Sequence, residues 1–217
     1  MHGRTSLPPS PTGRAPSAGV QARAQAVFVT AVAVGASTPT ALAHDTGNAG
    51  AGFVSGMLHP VSGFDHIAAM IAVGVWGAQL GRPALWVLPV AFPLVMAIGG
   101  FLGLIGVRLP GVEIGIALSA VALGIMVMTE AKPVLAVAIA MVAVFAVFHG
   151  HAHGTELPES QSAIVYSIGF VIATGILHLV GIGIGTIHRW DRGRIALRGL
   201  GGAILATGFV FLWNALT

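Results

Sequence analysis

The sequence contains no cysteine, a single lysine and few charges, with 8% of its 217 residues being Asp, Glu, Lys or Arg. The lack of cysteine excludes disulfide bonds, thiolate metal sites and a lipoprotein anchor. Soluble domains carry roughly 25% charged residues, so the polar side chains here cannot cover a surface exposed to water. No basic patch is interleaved with aromatic residues, which argues against nucleic-acid binding despite the net charge of +3. The predicted solvent is lipid.

Long apolar runs fill most of the chain, which is 55% hydrophobic. A bilayer is crossed by about 20 residues of helix, and six segments after residue 43 reach that length. Alternation of the strand type is absent, so helices rather than a barrel must satisfy the backbone. The sequence therefore predicts an all-α polytopic membrane protein, a bundle of about six transmembrane helices in one domain, 44–217. The segments are 62–80, 83–106, 111–130, 133–151, 161–187 and 194–216.

The first 43 residues have the composition of a cleavable signal peptide with an N-terminal extension. Residues 1–22 are rich in Pro, Ser, Gly and Ala and are predicted to be disordered. An apolar run from Ala24 to Ala36 follows, and Ala41-Leu42-Ala43 offers a small-residue cleavage site. Cleavage there would make His44 the amino terminus, where the free amine and the imidazole could chelate a metal together. The alternative is an uncleaved signal anchor.

The basic residues between the apolar segments indicate the orientation. A cleaved signal places His44 in the periplasm, and the loops then alternate between the two sides. The outer loops hold only Arg108, and all other basic loop residues fall on the inner side, as the positive-inside rule requires. We therefore predict an inner-membrane protein with a periplasmic mature N-terminus. The inner basic residues are Arg82, Lys132, Arg189, Arg192, Arg194 and Arg198.

Two histidines and a carboxylate stand where the first apolar segment begins. His59, Asp65 and His66 belong to the run His-Pro-Val-Ser-Gly-Phe-Asp-His. Ionisable groups at a membrane segment are costly, so a functional role is the first hypothesis. Neutral imidazole suits nickel, copper, zinc and cobalt, and a carboxylate adds a harder oxygen ligand. The alternative is a polar helix start with Asp65 as the cap.

A second cluster, His149, His151, His153 and Glu156, lies at the outer end of the fourth segment. In a helix, His149 and His153 would share one face about 6 Å apart. In an extended chain, the three histidines would point to the same side. Either conformation gives a chelating pair, and the alternative is a solvated loop without a defined site.

The predicted topology brings both clusters to the outer leaflet. His59 and His66 would be about 10 Å apart along a regular helix, too far to share one ion. Either Gly63 breaks the helix, or the two histidines serve successive sites, with His66 and Asp65 deeper and His59 at the entrance. Two further candidates are Glu113, also near the outer leaflet, and His178. The latter is the one ionisable group deep inside the fifth segment and is either a core histidine or a ligand.

Both motifs resemble the HupE/UreJ family over essentially the whole mature chain. The first is His-x5-Asp-His followed by Ala-Met-x-Ala-Val-Gly-x-Trp-x-Ala-Gln-Leu-Gly, and the second is Phe-His-Gly-x-Ala-His-Gly-x-Glu. The resemblance implies a bacterial membrane protein with a leader and about six helices, which supplies nickel or cobalt in association with hydrogenase or urease. His151 falls at a variable position of the second motif. The transport residues that the family resemblance implies are His59, Asp65, His66, His149, His153 and Glu156.

These features predict a transporter that carries Ni²⁺, or next Co²⁺, from periplasm to cytoplasm and is not an enzyme. No prosthetic group is expected, and the metal is the cargo. The candidate partners are the ion, the bilayer, further copies of the chain, and hydrogenase or urease maturation proteins. One alternative is a membrane metal-binding accessory or sensor protein that moves no ion. The other is a membrane metallohydrolase, against which no His-Glu-x-x-His or nucleophile motif occurs.

Overall fold

Helices make up nearly all of the ordered backbone in the computed structural model, which describes residues 49–157 and 162–217. The predicted signal peptide and His44 lie outside these residues. A 3₁₀ turn, Thr186–Arg189, precedes the last helix, and the described residues contain no strand. The helices are α1 (Ala49–Ser62), α2 (Phe64–Leu80), α3 (Ala84–Leu104), α4 (Val112–Thr129), α5 (Leu135–Thr155), α6 (Ala163–Gly185) and α7 (Asp191–Leu216).

The helices confirm the predicted class, an all-α multi-pass membrane protein. Helices α3 to α7 are each long and apolar enough to cross a bilayer. The first predicted segment, 62–80, differs, because α1 and α2 reach the required length only together and are bent by 81° at Gly63. Helix α1, which the apolar pattern did not reveal, extends this segment backwards to residue 49. In place of the first predicted span, the structure thus has a helix broken at Gly63.

Helix α2 occupies the centre of the bundle. All eight residues from Ala72 to Gln79 are buried, which leaves no face of this stretch to lipid or water. It packs against α3, α4 and α6. Gln79 and Trp76 donate hydrogen bonds to the backbone carbonyls of Val127 and Ala131, which fixes the inner end of α2 against α4.

Glycines allow the helices to pack at very short distances. A methyl group on Gly150 of α5 would overlap the Met96 carbonyl of α3, and one on Gly74 of α2 would overlap the His178 carbonyl of α6. Inside a membrane, where burial from water does not drive association, such close backbone packing holds helices together. Glycine contacts of the same kind join α1 to α6 and α4 to α7. These glycines therefore lie at helix interfaces.

Contacts between helices give their relative directions. On α3, residues 99 and 103 contact residues 147 and 151 of α5, so these two helices run parallel. On α4, residues 121 and 128 contact residues 208 and 201 of α7, so this pair is antiparallel. These directions agree with alternating spans. One end of the bundle holds the histidine motifs, and the other holds the basic loops, where Arg198 pairs with Glu130 at 3.1 Å.

We predict that the histidine end faces the periplasm and the basic end faces the cytoplasm. Cysteines substituted singly for Leu157 and Gly193 report on the two ends, because the native chain has no cysteine. In intact cells, a membrane-impermeant thiol reagent should label position 157 and leave position 193 unlabelled until the membrane is opened. The reverse pattern would contradict the orientation and the direction of transport.

Candidate metal-binding site

The break between α1 and α2 brings the two halves of the first motif together. Helix α1 ends at Ser62 and α2 begins at Phe64, and the bend places the His59 and His66 ring centroids 6.4 Å apart. The sequence left open a helix broken at Gly63 or a regular helix with His59 and His66 about 10 Å apart. The structure has the broken helix. A Cβ atom on Gly63 would lie 2.6 Å from Asp65 Oδ1 and 2.8 Å from His66 Nδ1. Glycine at this position leaves room for the Asp65–His66 pair.

The second motif is helical to its end. Helix α5 continues to Thr155, so His149 and His153 lie one turn apart, and the extended alternative does not occur. Both rings face α2. The His66 centroid is 5.2 Å from that of His149 and 4.5 Å from that of His153. The His59 centroid is 4.7 Å from that of His153.

These separations suit imidazoles that share an ion. A metal about 2 Å from each nitrogen holds two ring centroids roughly 4.5 to 5 Å apart at octahedral or tetrahedral angles. The three pairs linking His59, His153, His66 and His149 fall close to that range. We call these four residues, with Asp65 and Glu156, the outer cluster.

Hydrogen bonds at Nδ1 orient two of the imidazoles and leave their Nε2 atoms available to bind a metal. His66 Nδ1 lies 2.8 Å from Asp65 Oδ1, and His149 Nδ1 lies 2.9 Å from the Phe145 carbonyl. With the proton on Nδ1 in each bond, Nε2 keeps its lone pair. Neither Nε2 atom has a hydrogen-bond partner among the described residues. Metal-binding histidines are commonly held in this way by a carboxylate or a backbone carbonyl.

The same hydrogen bonds show how Asp65 contacts His66. Its Oδ1 accepts hydrogen bonds from the His66 backbone N–H, at 2.9 Å, and, with the proton on Nδ1, from the His66 ring N–H. The carboxylate thus orients His66 and adds negative charge behind the imidazole. In this geometry, Asp65 holds the His66 ring in place.

A second set of ligand atoms lies nearer the solvent. His59, His153 and Glu156 each offer one ligand atom within 4.8 Å of the others, and His59 Nε2 is 3.3 Å from Glu156 Oε2. His153 belongs to both sets, because its ring contacts those of His59 and His66. It is the central residue of the outer cluster.

The side chains of the cluster range from exposed to fully buried. The side chain of Glu156 is 52% exposed and that of His59 27%, whereas His66 is 12% exposed and His149 is fully buried. An ion that enters beside Glu156 would exchange its water for protein ligands in steps. His66 is thus more deeply buried than His59, and their assignment to a deeper site and an entrance stays a prediction.

Two candidate residues lie apart from the outer cluster. His151 is buried on another face of α5, and its Nε2 lies 2.6 Å from the Val107 carbonyl in the α3–α4 loop. Glu113 is exposed in the first turn of α4. The geometry therefore gives His151 a structural contact, because two helical residues of separation turn it away from His149 and His153.

His178 is buried inside α6 below the cluster, with its centroid 5.5 Å from that of Phe92. The Phe92 centroid is also 5.5 Å from that of His149. Phe92 thus contacts both a histidine of the outer cluster and His178. His178 was predicted from the sequence, but the contribution of Phe92 was not.

Aromatic side chains that sequence reasoning missed form a wall of the cluster. Phe170 packs against His153 at a centroid distance of 4.3 Å, and Tyr166 lies 5.8 Å from His59. Beside His153, a cavity of about 140 Å³ opens between α3, α5 and α6. The spacing of Tyr166 and Phe170, one turn apart on α6, was the available signal, but such pairs are ordinary in apolar helices.

Comparison with known proteins supports the family resemblance that the two motifs indicated. The family described as HupE / UreJ protein matches residues 28–211. Protein HupE from Rhizobium leguminosarum bv. viciae is 46% identical over 161 residues, which cover 74% of this chain and 84% of that protein. No solved structure matches.

Proposed function

Because the chain belongs to the HupE/UreJ family, whose members are membrane accessory proteins of hydrogenase and urease rather than enzymes, we propose that it imports a divalent transition metal. The favoured cargo is Ni²⁺, and the second candidate is Co²⁺. The direction is from periplasm to cytoplasm across the inner membrane, and the metal serves maturation of a nickel or cobalt enzyme. The mature chain begins at His44, on the periplasmic side.

One observation carries this proposal: four histidines on three helix segments converge at a broken span, with Nε2 of His66 and of His149 available inside the bundle. Broken helices mark ion sites in many transporters, because irregular backbone is tolerated in a membrane where it lines a cavity. A structural role would be better served by apolar side chains, since buried polar groups without partners are costly.

The chemistry of the ligands favours transition metals of intermediate softness. Neutral imidazoles favour nickel, cobalt, copper and zinc over magnesium and calcium, which prefer oxygen ligands. Two overlapping ligand sets that share His153 let an ion move between them without losing all its ligands. Transport requires binding that is weak enough to release the ion, and shared ligands satisfy that condition.

Uptake of radiolabelled Ni²⁺ and Co²⁺ by proteoliposomes containing the purified full chain tests this function. We expect saturable uptake above that of protein-free vesicles, with inhibition by the second metal and little inhibition by Mg²⁺. Uptake should decrease as the pH on the outer side is lowered, because protons compete with the metal for the imidazoles. Uptake measured with and without a proton gradient shows whether metal transport is coupled to proton movement.

Equilibrium binding to the same preparation separates the alternatives. Tight metal binding without flux in sealed vesicles would contradict transport and favour an accessory or sensor protein. Heat-inactivated protein in matched vesicles serves as the control for leakage.

A further inference from the structure

Two polar side chains lie deep in the bundle, on the inner side of the outer cluster. Thr174 and His178 of α6 are 0% and 1% exposed. They are four residues apart, so they share a helix face about 6 Å from each other. The Thr174 hydroxyl and both His178 ring nitrogens make no hydrogen bond with any described residue. Unpartnered polar groups inside a membrane protein point to an ion or substrate path.

Helix α3 presents a backbone oxygen to the same place. Pro93 has no N–H, so the carbonyl of Pro89, four residues earlier, lacks its helical donor. The Pro89 backbone lies close enough to interact with the His178 ring, although no bond between them meets hydrogen-bond geometry. Carbonyls freed from helical bonding coordinate cations in membrane proteins. An imidazole and a freed carbonyl thus meet between α3 and α6, with a hydroxyl one turn away.

The Phe92 ring contacts both His178 and the outer cluster. The ring is fully buried and lies 5.5 Å, centroid to centroid, from both His149 and His178. It is placed between Pro89 and Pro93, and each proline removes one helical hydrogen bond. Helices bend most easily at such positions. The ring can therefore move with a small change in α3.

We propose that His178, Thr174 and the Pro89 carbonyl form a second, inner site for a divalent metal ion, closed off from the outer cluster by Phe92. This inference rests on the proposed transport function. The inner site has one imidazole and two neutral oxygens, so it binds more weakly than the four histidines above it. Weak binding there lets the ion leave toward the cytoplasm, and the Phe92 ring prevents a continuous leak.

Thr174→Val tests the inner ligands, because valine keeps the shape of threonine and removes the hydroxyl. We expect Ni²⁺ uptake into proteoliposomes to slow about tenfold, while Ni²⁺ binding at equilibrium stays at the wild-type affinity of the outer cluster. His178→Ala should show the same separation of flux from binding. Thr207→Val is the matched control, since the Thr207 hydroxyl is exposed on α7 and bonds to the Ala203 carbonyl.

The possible outcomes separate this inference from the transport function itself. Wild-type uptake by Thr174→Val would contradict the inner site while transport stands. Absence of uptake by the wild-type protein would contradict transport. Normalising uptake to the amount of folded protein in the vesicles excludes a simple folding defect.

The barrier is tested without any metal, using cysteine at position 174 in the chain that otherwise has none. An impermeant methanethiosulfonate reagent, added on the outer side, should modify Thr174→Cys slowly. Phe92→Ala in the same protein should accelerate modification about tenfold or more, because it removes an apolar constriction. Phe92→Leu, which keeps an apolar plug and guards against a folding failure, should remain slow. Equal rates with phenylalanine and alanine at position 92 would overturn the barrier.

Discussion

Replacing His153 by alanine is expected to abolish metal uptake and to give the largest loss of metal affinity of any single substitution in the chain. His153 joins both ligand sets, because its ring contacts those of His59 and His66. Loss of an orienting partner alone typically costs about 10- to 100-fold in metal affinity, so loss of this shared ligand should cost at least that much. Ni²⁺ binding by equilibrium dialysis and uptake by proteoliposomes measure the two effects.

His151→Ala provides the matched control, since His151 is buried on the same helix two residues away. Its imidazole bonds to the Val107 carbonyl, so alanine should reduce protein stability and leave Ni²⁺ affinity near the wild-type value. If the two variants lost uptake equally after correction for protein amount, the placement of the site around His153 would be wrong.

His66→Ala is expected to abolish uptake as well, and Asp65 variants should show how the carboxylate contributes. Because the carboxylate oxygen accepts the His66 ring N–H, the structure makes Asp65 an orienting residue. Asp65→Asn retains an oxygen acceptor for that bond, so we expect partial uptake and an affinity loss of about tenfold. Asp65→Ala removes the acceptor and should approach the effect of His66→Ala.

The order of these variants distinguishes orientation from direct coordination. If Asp65 were a metal ligand, asparagine would lose the ligand charge and resemble alanine. Ser62→Ala is a suitable neighbouring control, because the Ser62 hydroxyl bonds to the His59 carbonyl at an exposed position. Full uptake by His66→Ala would contradict the site irrespective of the other variants.

Composition and periodicity determined the class of the protein and the order of its spans. Few charges and long apolar runs require lipid as solvent, and lipid requires helices because backbone groups must be satisfied internally. The motif spacing predicted His59, His66, His149 and His153 as site residues, since ionisable groups in apolar segments are costly and therefore point to function. The basic loops predicted spans that alternate in direction, and the parallel packing of α3 with α5 and the antiparallel packing of α4 with α7 agree with that alternation. All of these follow from local chemistry that is visible along the chain.

Only the tertiary structure decided which side chains meet. The bend at Gly63 brings His59 toward His66, and it depends on packing of α1 against α6 as well as on glycine. Helical geometry separates His151 from its two neighbouring histidines, although the three look equivalent in sequence. Phe92, Thr174 and the Pro89 carbonyl gained significance from the packing of α3 against α6. Contacts between distant residues depend on how whole helices pack, and no local pattern encodes that packing.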